Sequence, residues 1–371
     1  MDHIKRYGQN LLGPRTKRKI LIIESDDWGS IRMPSSEVYR HLATKPYQVE
    51  KDPYLKYDSL ASNDDLTALF EVLSSVQDKQ GNAAKITANC VVANPDFEAI
   101  RAANFKAYSY EDFRATLARY PRHDKAFAYW QEGMEKQLFQ PQFHGREHIN
   151  IYQWMQALQQ GDPLLHEAFD HQMISISSVP CKMTFGYMEG LDYFSEEEKT
   201  TKSEVLEDGL RLFEAAFGYT SKSFIANCYV WDSDLESVLK THGVDFIQGI
   251  IKQLIPDLNS EDHAYQYRYH YMGQKNKLGQ RYLIRNVFFE PSMEPQKDWL
   301  TEVIARIDVA FRLGKPAIIG SHRLNYIGHI DEENRTKNLK LLKELLQQIV
   351  TKWPDVEFKS TDQLEEVYRN T

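Results

Sequence analysis

The sequence predicts one continuous α/β domain, barrel-like, with helical insertions and a β-hairpin. Three observations predict it. Seven short β-like runs recur between longer helical patterns, an alternation that implies parallel strands joined by crossover helices. The clearest helical patterns end at residues that stop helices, and no Pro, Gly or Ser linker divides the 371 residues. No internal repeat or low-complexity tract suggests another architecture, so residues 1–371 are taken as a single domain that begins with a basic arm at 1–18.

The predicted strands lie at 19–27, 85–93, 141–144, 224–230, 246–250, 282–290 and 316–322. Helices are predicted at 202–217, ended by Gly218, at 298–313, ended by Gly314, and at 331–352, ended before Pro354. Tyr265, Tyr267, Tyr269 and Tyr271 alternate with polar residues, which predicts a strand paired with 281–290 as a hairpin at the rim of the site. Such a stripe either packs across strands or stacks on sugar rings. Lys5, Arg6, Arg15, Lys17, Arg18 and Lys19 form a polar basic run, predicted to be a solvated arm.

Composition excludes several classes. A hydrophobic content of 42% with 12% aromatics supports a large core, which argues against disorder. The formal charge of -8 lacks the clustered cations needed to condense on nucleic acid, so a small molecule or glycan is the expected partner. Cys90, Cys181 and Cys228 are far apart with no CxxC pair, the pattern of reduced thiols rather than a disulfide framework or thiolate zinc site. The longest apolar runs fall well short of the roughly 20 residues that span a bilayer. With no apolar secretory core near the start either, a cytoplasmic location is expected.

Chemistry concentrates at three strand ends. Glu24-Ser25-Asp26-Asp27-Trp28-Gly29 puts two adjacent carboxylates where α/β enzymes place catalytic groups. His144-Gly145-Arg146-Glu147-His148 follows a second strand, and two histidines four apart on one helical turn can reach a single cation. Joined with an aspartate they make a His, His, Asp set with open positions, suited to one divalent ion, zinc first and Co, Ni, Mn or Fe as alternatives. Ile318-Ile319-Gly320-Ser321-His322-Arg323 ends a third strand with a histidine able to protonate a leaving group.

In this order the three pieces resemble the polysaccharide deacetylase family, the NodB-homology domains of carbohydrate esterase family four. Ser25-Asp26-Asp27-Trp28-Gly29 is similar to the family's first motif with one residue inserted before the Gly, His144 and His148 match its His-x-x-x-His motif, and residues 318–322 match its last. The resemblance implies a distorted (β/α) barrel, Asp26 as general base, Asp27, His144 and His148 as metal ligands, and His322 as general acid. The Arg-x-Pro-Tyr motif departs: its best counterpart, Ala226-Asn227-Cys228-Tyr229, keeps Tyr229, whose backbone N–H would help bind an oxyanion, and lacks the Arg that orients the base. Arg146 or Arg323 is a candidate replacement, and Asp298-Trp299 is a faint echo of a fourth motif.

The expected activity is removal of an N- or O-acyl group, typically acetyl, from a sugar or glycan intermediate. Trp28 and Glu290 are further candidates for substrate contact. Two rivals remain: a metal- or carbohydrate-binding protein of the same fold that has lost turnover, and a glycosidase using Asp26 with Glu290, which leaves the histidine pair unexplained.

Overall fold

The structure is a computed structural model, and the residues described are 2–176, 183–260 and 262–368. Cys181 lies outside them. In chain order the strands are β1 (Lys19–Trp28), β2 (Ile86–Cys90), β3 (Ala93–Pro95), β4 (Tyr110–Asp112), β5 (Phe139–Phe143), β6 (Ser223–Ile225), β7 (Phe246–Gly249), β8 (Lys252–Pro256), β9 (Tyr265–Tyr269), β10 (Arg281–Ile284), β11 (Val287–Phe288), β12 (Ala317–His322) and β13 (Val356–Phe358). Parallel pairing runs β10-β7-β6-β5-β2-β1-β12-β11, and β13 joins the start of β1.

The two ends of that path are consecutive in the chain. Only Arg285 and Asn286 separate β10 from β11, a span of about 11 Å at most, so the sheet curls until its edges meet. The seam is one segment that changes partner. Arg285 N–H still bonds Gly249 O on the β7 side at 2.8 Å, whereas Phe289 N–H bonds Gly320 O on the β12 side at 3.0 Å. Between them the Asn286 side chain accepts from Ile318 N–H and donates to Pro316 O, both at 2.8 Å, standing in for the interrupted ladder. This is a distorted α/β barrel whose hydrogen-bonded path stays open at the kink.

Strand alternation divides β1 between two environments. Leu21 and Ile23 pack into the large core beneath the surrounding helices, while Ile20 and Ile22 join Leu283, Phe246 and Ile318 in a smaller cluster. The same alternation continues through Glu24 to Asp26, so that face changes from apolar to charged toward the C-terminal end of β1. Outside the barrel, helix Glu332–Lys352 buries Leu339, Leu342, Leu345, Leu346 and Ile349. Helix Glu196–Phe217 stops at Gly218, whose φ of 77° takes the left-handed cap that side chains disfavour.

Three expectations are corrected. The tyrosine strand β9 pairs antiparallel with β8, and residues 281–284 go into the barrel, where they pair parallel with β7 and all four are buried. The basic arm is not free: Asp2–Leu11 is a helix, with Arg6 2.5 Å from Glu302 and Gln9 donating to Asn286 O at 2.8 Å. Residues 144–150 form a loop rather than a helical turn, reversing at Gly145, where φ is 116°. Among the described residues no helix is long and apolar enough to cross a membrane.

Candidate metal centre and catalytic site

Adjacent residues of a strand face opposite ways, so Asp26 and Asp27 need a local device to share one site. The register of β1 against β2 shifts between Ser25 and Trp28, and Asp27 takes φ 72°. A bulge of this kind re-aims one side chain. Asp26 therefore continues the interior row, Asp27 turns toward the loop after β5, and Asp26 is the in-register neighbour of His322 on β12.

Asp27 Oδ1 lies 3.5 Å from His144 Nε2 and 3.2 Å from His148 Nε2, and one ligand atom from each residue falls within 4.8 Å of the others. All three side chains are buried. His144 Nδ1 bonds Ile225 O at 2.9 Å, so Nε2, buried without a hydrogen-bond partner, presents a lone pair to the cluster. Burial outweighs the pull of Asp27 and lowers the His148 pKa to about 4, keeping it neutral. Burial also works against ionisation of Asp27, yet Arg32 first and then His148 hold its pKa well below the usual range. Two imidazoles and an ionised carboxylate fit a divalent cation with a position left open.

Asp26 has different company. Arg285 donates to both of its oxygens, Nη1 to Oδ2 and Nη2 to Oδ1, each at 2.6 Å, and Asn89 donates to Oδ1 at 2.8 Å. Burial raises the carboxyl pKa, but the Arg285 charge prevails and holds it at about 2. Nε of the same guanidinium bonds Glu24 at 2.8 Å, and Thr361 completes that carboxylate. Glycine is required opposite: a Cβ on Gly320 would meet Arg285 Cδ at 2.7 Å.

His322 Nε2 stands 3.9 Å from Asp26 Oδ2, and its Nδ1 donates to Glu290 Oε1 at 2.6 Å. Asn325 holds the other Glu290 oxygen at 2.6 Å. Burial disfavours the imidazolium, but Glu290 overrides it and raises the His322 pKa to about 9. Asp26, Asp27, His144, His148 and His322 open on a cavity of about 490 Å3 that Arg32 also lines, with Ile31, Leu55, Met173, Tyr187 and Met188 among its apolar walls. Arg32 is 3.3 Å from Asp27 Oδ2.

No family model and no curated protein matches this chain. Among solved structures, a protein from Pseudomonas aeruginosa described as a polysaccharide deacetylase is similar at 10% identity over 97% of this chain and 96% of that one, with a TM-score of 0.46. Another so described, from Mycobacterium smegmatis, is similar at 9% identity over 96% and 93%, with a TM-score of 0.43. A CE4 family pseudoenzyme from Bacillus anthracis is similar at 9% over 94% and 65%, with a TM-score of 0.39. Polysaccharide deacetylases thus stand among its structural neighbours. Scores this low assign no activity; the fold rests on its strand order and the site on its side chains.

The remaining candidates lie elsewhere or act differently. Arg146 bonds Glu147 and Asp208 and covers the Tyr110 ring, away from Asp26. Arg323 is fully buried, with two 3.0 Å bonds to Asp58 and one to Ser30 O. Both cations are held by nearer carboxylates, so neither replaces the missing Arg. Trp28 is 1% exposed and packs edge-on against Phe139 and Trp130, which leaves it no substrate contact. Tyr229 N–H already closes a turn on Ala226 O at 3.1 Å, while its hydroxyl accepts from Arg285 at 3.3 Å. The Tyr265 to Tyr271 stripe does not line the cavity. Arg285, Arg32 and Asn89 were missed; the one visible signal was a charged residue inside the apolar run at 282–289.

Proposed function

We propose that this chain is a metal-dependent hydrolase, a divergent relative of the polysaccharide deacetylases, that removes an acetyl or other acyl group from a sugar or glycan intermediate. The observation that carries this reading is the split between neighbouring carboxylates: Asp27 faces His144 and His148, whereas Asp26 faces Arg285 and His322, and both open on one cavity.

Asp27, His144 and His148 would hold the cation, zinc by donor type, and a cation so held supplies Lewis acidity that polarises a carbonyl and lowers the pKa of water toward ~7. Asp26 accepts the proton of the attacking water, its carboxylate plane fixed by Arg285 and Asn89. His322 carries a proton at neutral pH and gives it from Nε2 to the departing amine or alcohol, while Glu290 holds Nδ1. Glu290 orients the acid, which removes it from a glycosidase pair.

One observation favours a binding protein without turnover. A carboxylate tied by three donors and held at about 2 is a weak base. Acetate release from a panel of N- and O-acetylated sugars, with zinc, cobalt, nickel, manganese or iron added, decides between them. Release by the wild type and its loss in Asp26→Asn and His322→Ala support hydrolysis. Sugar binding with no release under any of these metals overturns it in favour of the binder.

A further inference from the structure

We propose that His41, Glu167 and His171 form a second divalent-cation site, distinct from the Asp27 centre and independent of the proposed hydrolysis. His41 lies in the last turn of helix Ser36–Ala43. Glu167 belongs to helix Pro163–Asp170 and His171 caps that helix, four residues on. Four-residue spacing puts the carboxylate and the imidazole on one face, and that face meets His41. The two imidazole centroids are 5.3 Å apart, and one donor atom from each of the three residues lies within 4.8 Å of the others.

Two imidazoles and a carboxylate suit zinc and its first-row neighbours better than magnesium or calcium, which take all-oxygen ligand sets. The carboxylate is already oriented. Tyr47 donates its hydroxyl to Glu167 Oε2, as outer-shell partners of metal ligands do. The other oxygen, Oε1, faces Lys45 Nζ at 3.8 Å, a half-exposed amine on a flexible stem that yields readily to a cation. Among the described residues neither imidazole ring makes a protein hydrogen bond, so both retain a free nitrogen lone pair when neutral.

Placement gives the site a purpose. The chain after His41 continues to Tyr54 and Leu55, and the chain after His171 to Met173 and Ile176, all of which line the cavity. A cation shared by the two helices ties together the two segments that wall the cavity, without touching the reacting groups. It acts as a brace.

Calorimetric titration with zinc tests this on the wild type, His41→Ala, His171→Ala, Tyr47→Phe and Asp27→Ala. His41 is on the surface, so its alanine variant keeps the fold. The wild type should bind one equivalent more than either histidine variant, Tyr47→Phe should weaken that equivalent ~10-fold, and Asp27→Ala should retain it. Zinc should also raise the Tm of Asp27→Ala more than that of the same variant carrying His41→Ala. Equal zinc stoichiometry in the wild type and both histidine variants overturns the proposal, whatever the Asp27 centre does.

Discussion

Arg285 grips both oxygens of Asp26 at 2.6 Å across a chain separation of 259 residues. The barrel seam makes this contact, because the strand that changes partner at Arg285 turns its side chain toward the interior row of β1. A guanidinium thereby reaches Asp26 from outside every motif matched in the sequence. Arg285→Met would strand Glu24 and Asp26 as buried, uncompensated carboxylates, at a cost of ~3–5 kcal/mol. Arg285→Lys should fold but lose the two-point grip, and kcat should fall ~100-fold. Thermal unfolding and steady-state kinetics of the two variants check this; wild-type kcat in Arg285→Lys would remove Arg285 from the account.

Gly320→Ala tests the same contact from the other side. A methyl 2.7 Å from Arg285 Cδ must displace the arginine stem, costing ~1–3 kcal/mol of stability. Metal content should be unchanged while activity drops, since Asp27, His144 and His148 are untouched. Loss of metal along with activity would show that the disturbance is not confined to Asp26.

The pH dependence of activity follows from His322. Its folded-state pKa is raised to about 9, so the acid form persists at neutrality and kcat should decline as pH rises through about 9. Glu290 is what raises it. In Glu290→Gln only Asp27 and Asp26 still oppose the burial penalty, and the alkaline limb should move down by ~1–2 pH units. An unmoved limb would mean that another group sets it.

Much of this site was legible because its pieces sit at strand ends, where an apolar run stops and a charged or imidazole side chain begins. The runs ending in Asp26-Asp27 and His322 carry that mark, and His144 and His148 declare themselves by spacing. Pairing was not legible. Nothing local distinguishes 281–290 as a hairpin arm from a barrel seam, since a short apolar run serves either, and the tyrosines of β9 fit either partner. Arg285 hid for the same reason: its meaning depends on Asp26, a contact that only long-range closure creates. The helical reading of 144–148 failed because a loop reversing at Gly145 brings both histidines to Asp27 without a helix.

Stability should carry its own pH signature through Glu189. Burial, the largest effect, raises its pKa to about 7, with the neighbouring Asp192 adding to the rise, although the Tyr265 hydroxyl opposes it at 2.8 Å. The folded protein then holds a proton that the unfolded chain releases near 4.5, so stability falls as pH climbs from about 4.5 to about 7. Glu189→Gln should be close to wild type at pH 5 and more stable by ~1–3 kcal/mol at pH 8. Urea denaturation at the two pH values measures it; a variant less stable at pH 8 would contradict this assignment.

The central claim is the cation at Asp27, His144 and His148, and anomalous diffraction from crystals grown with zinc tests it most directly. The account predicts a peak at ~2.0–2.2 Å from one Asp27 oxygen and from one nitrogen each of His144 and His148. Ordered side chains at full zinc loading with no peak between them would contradict it.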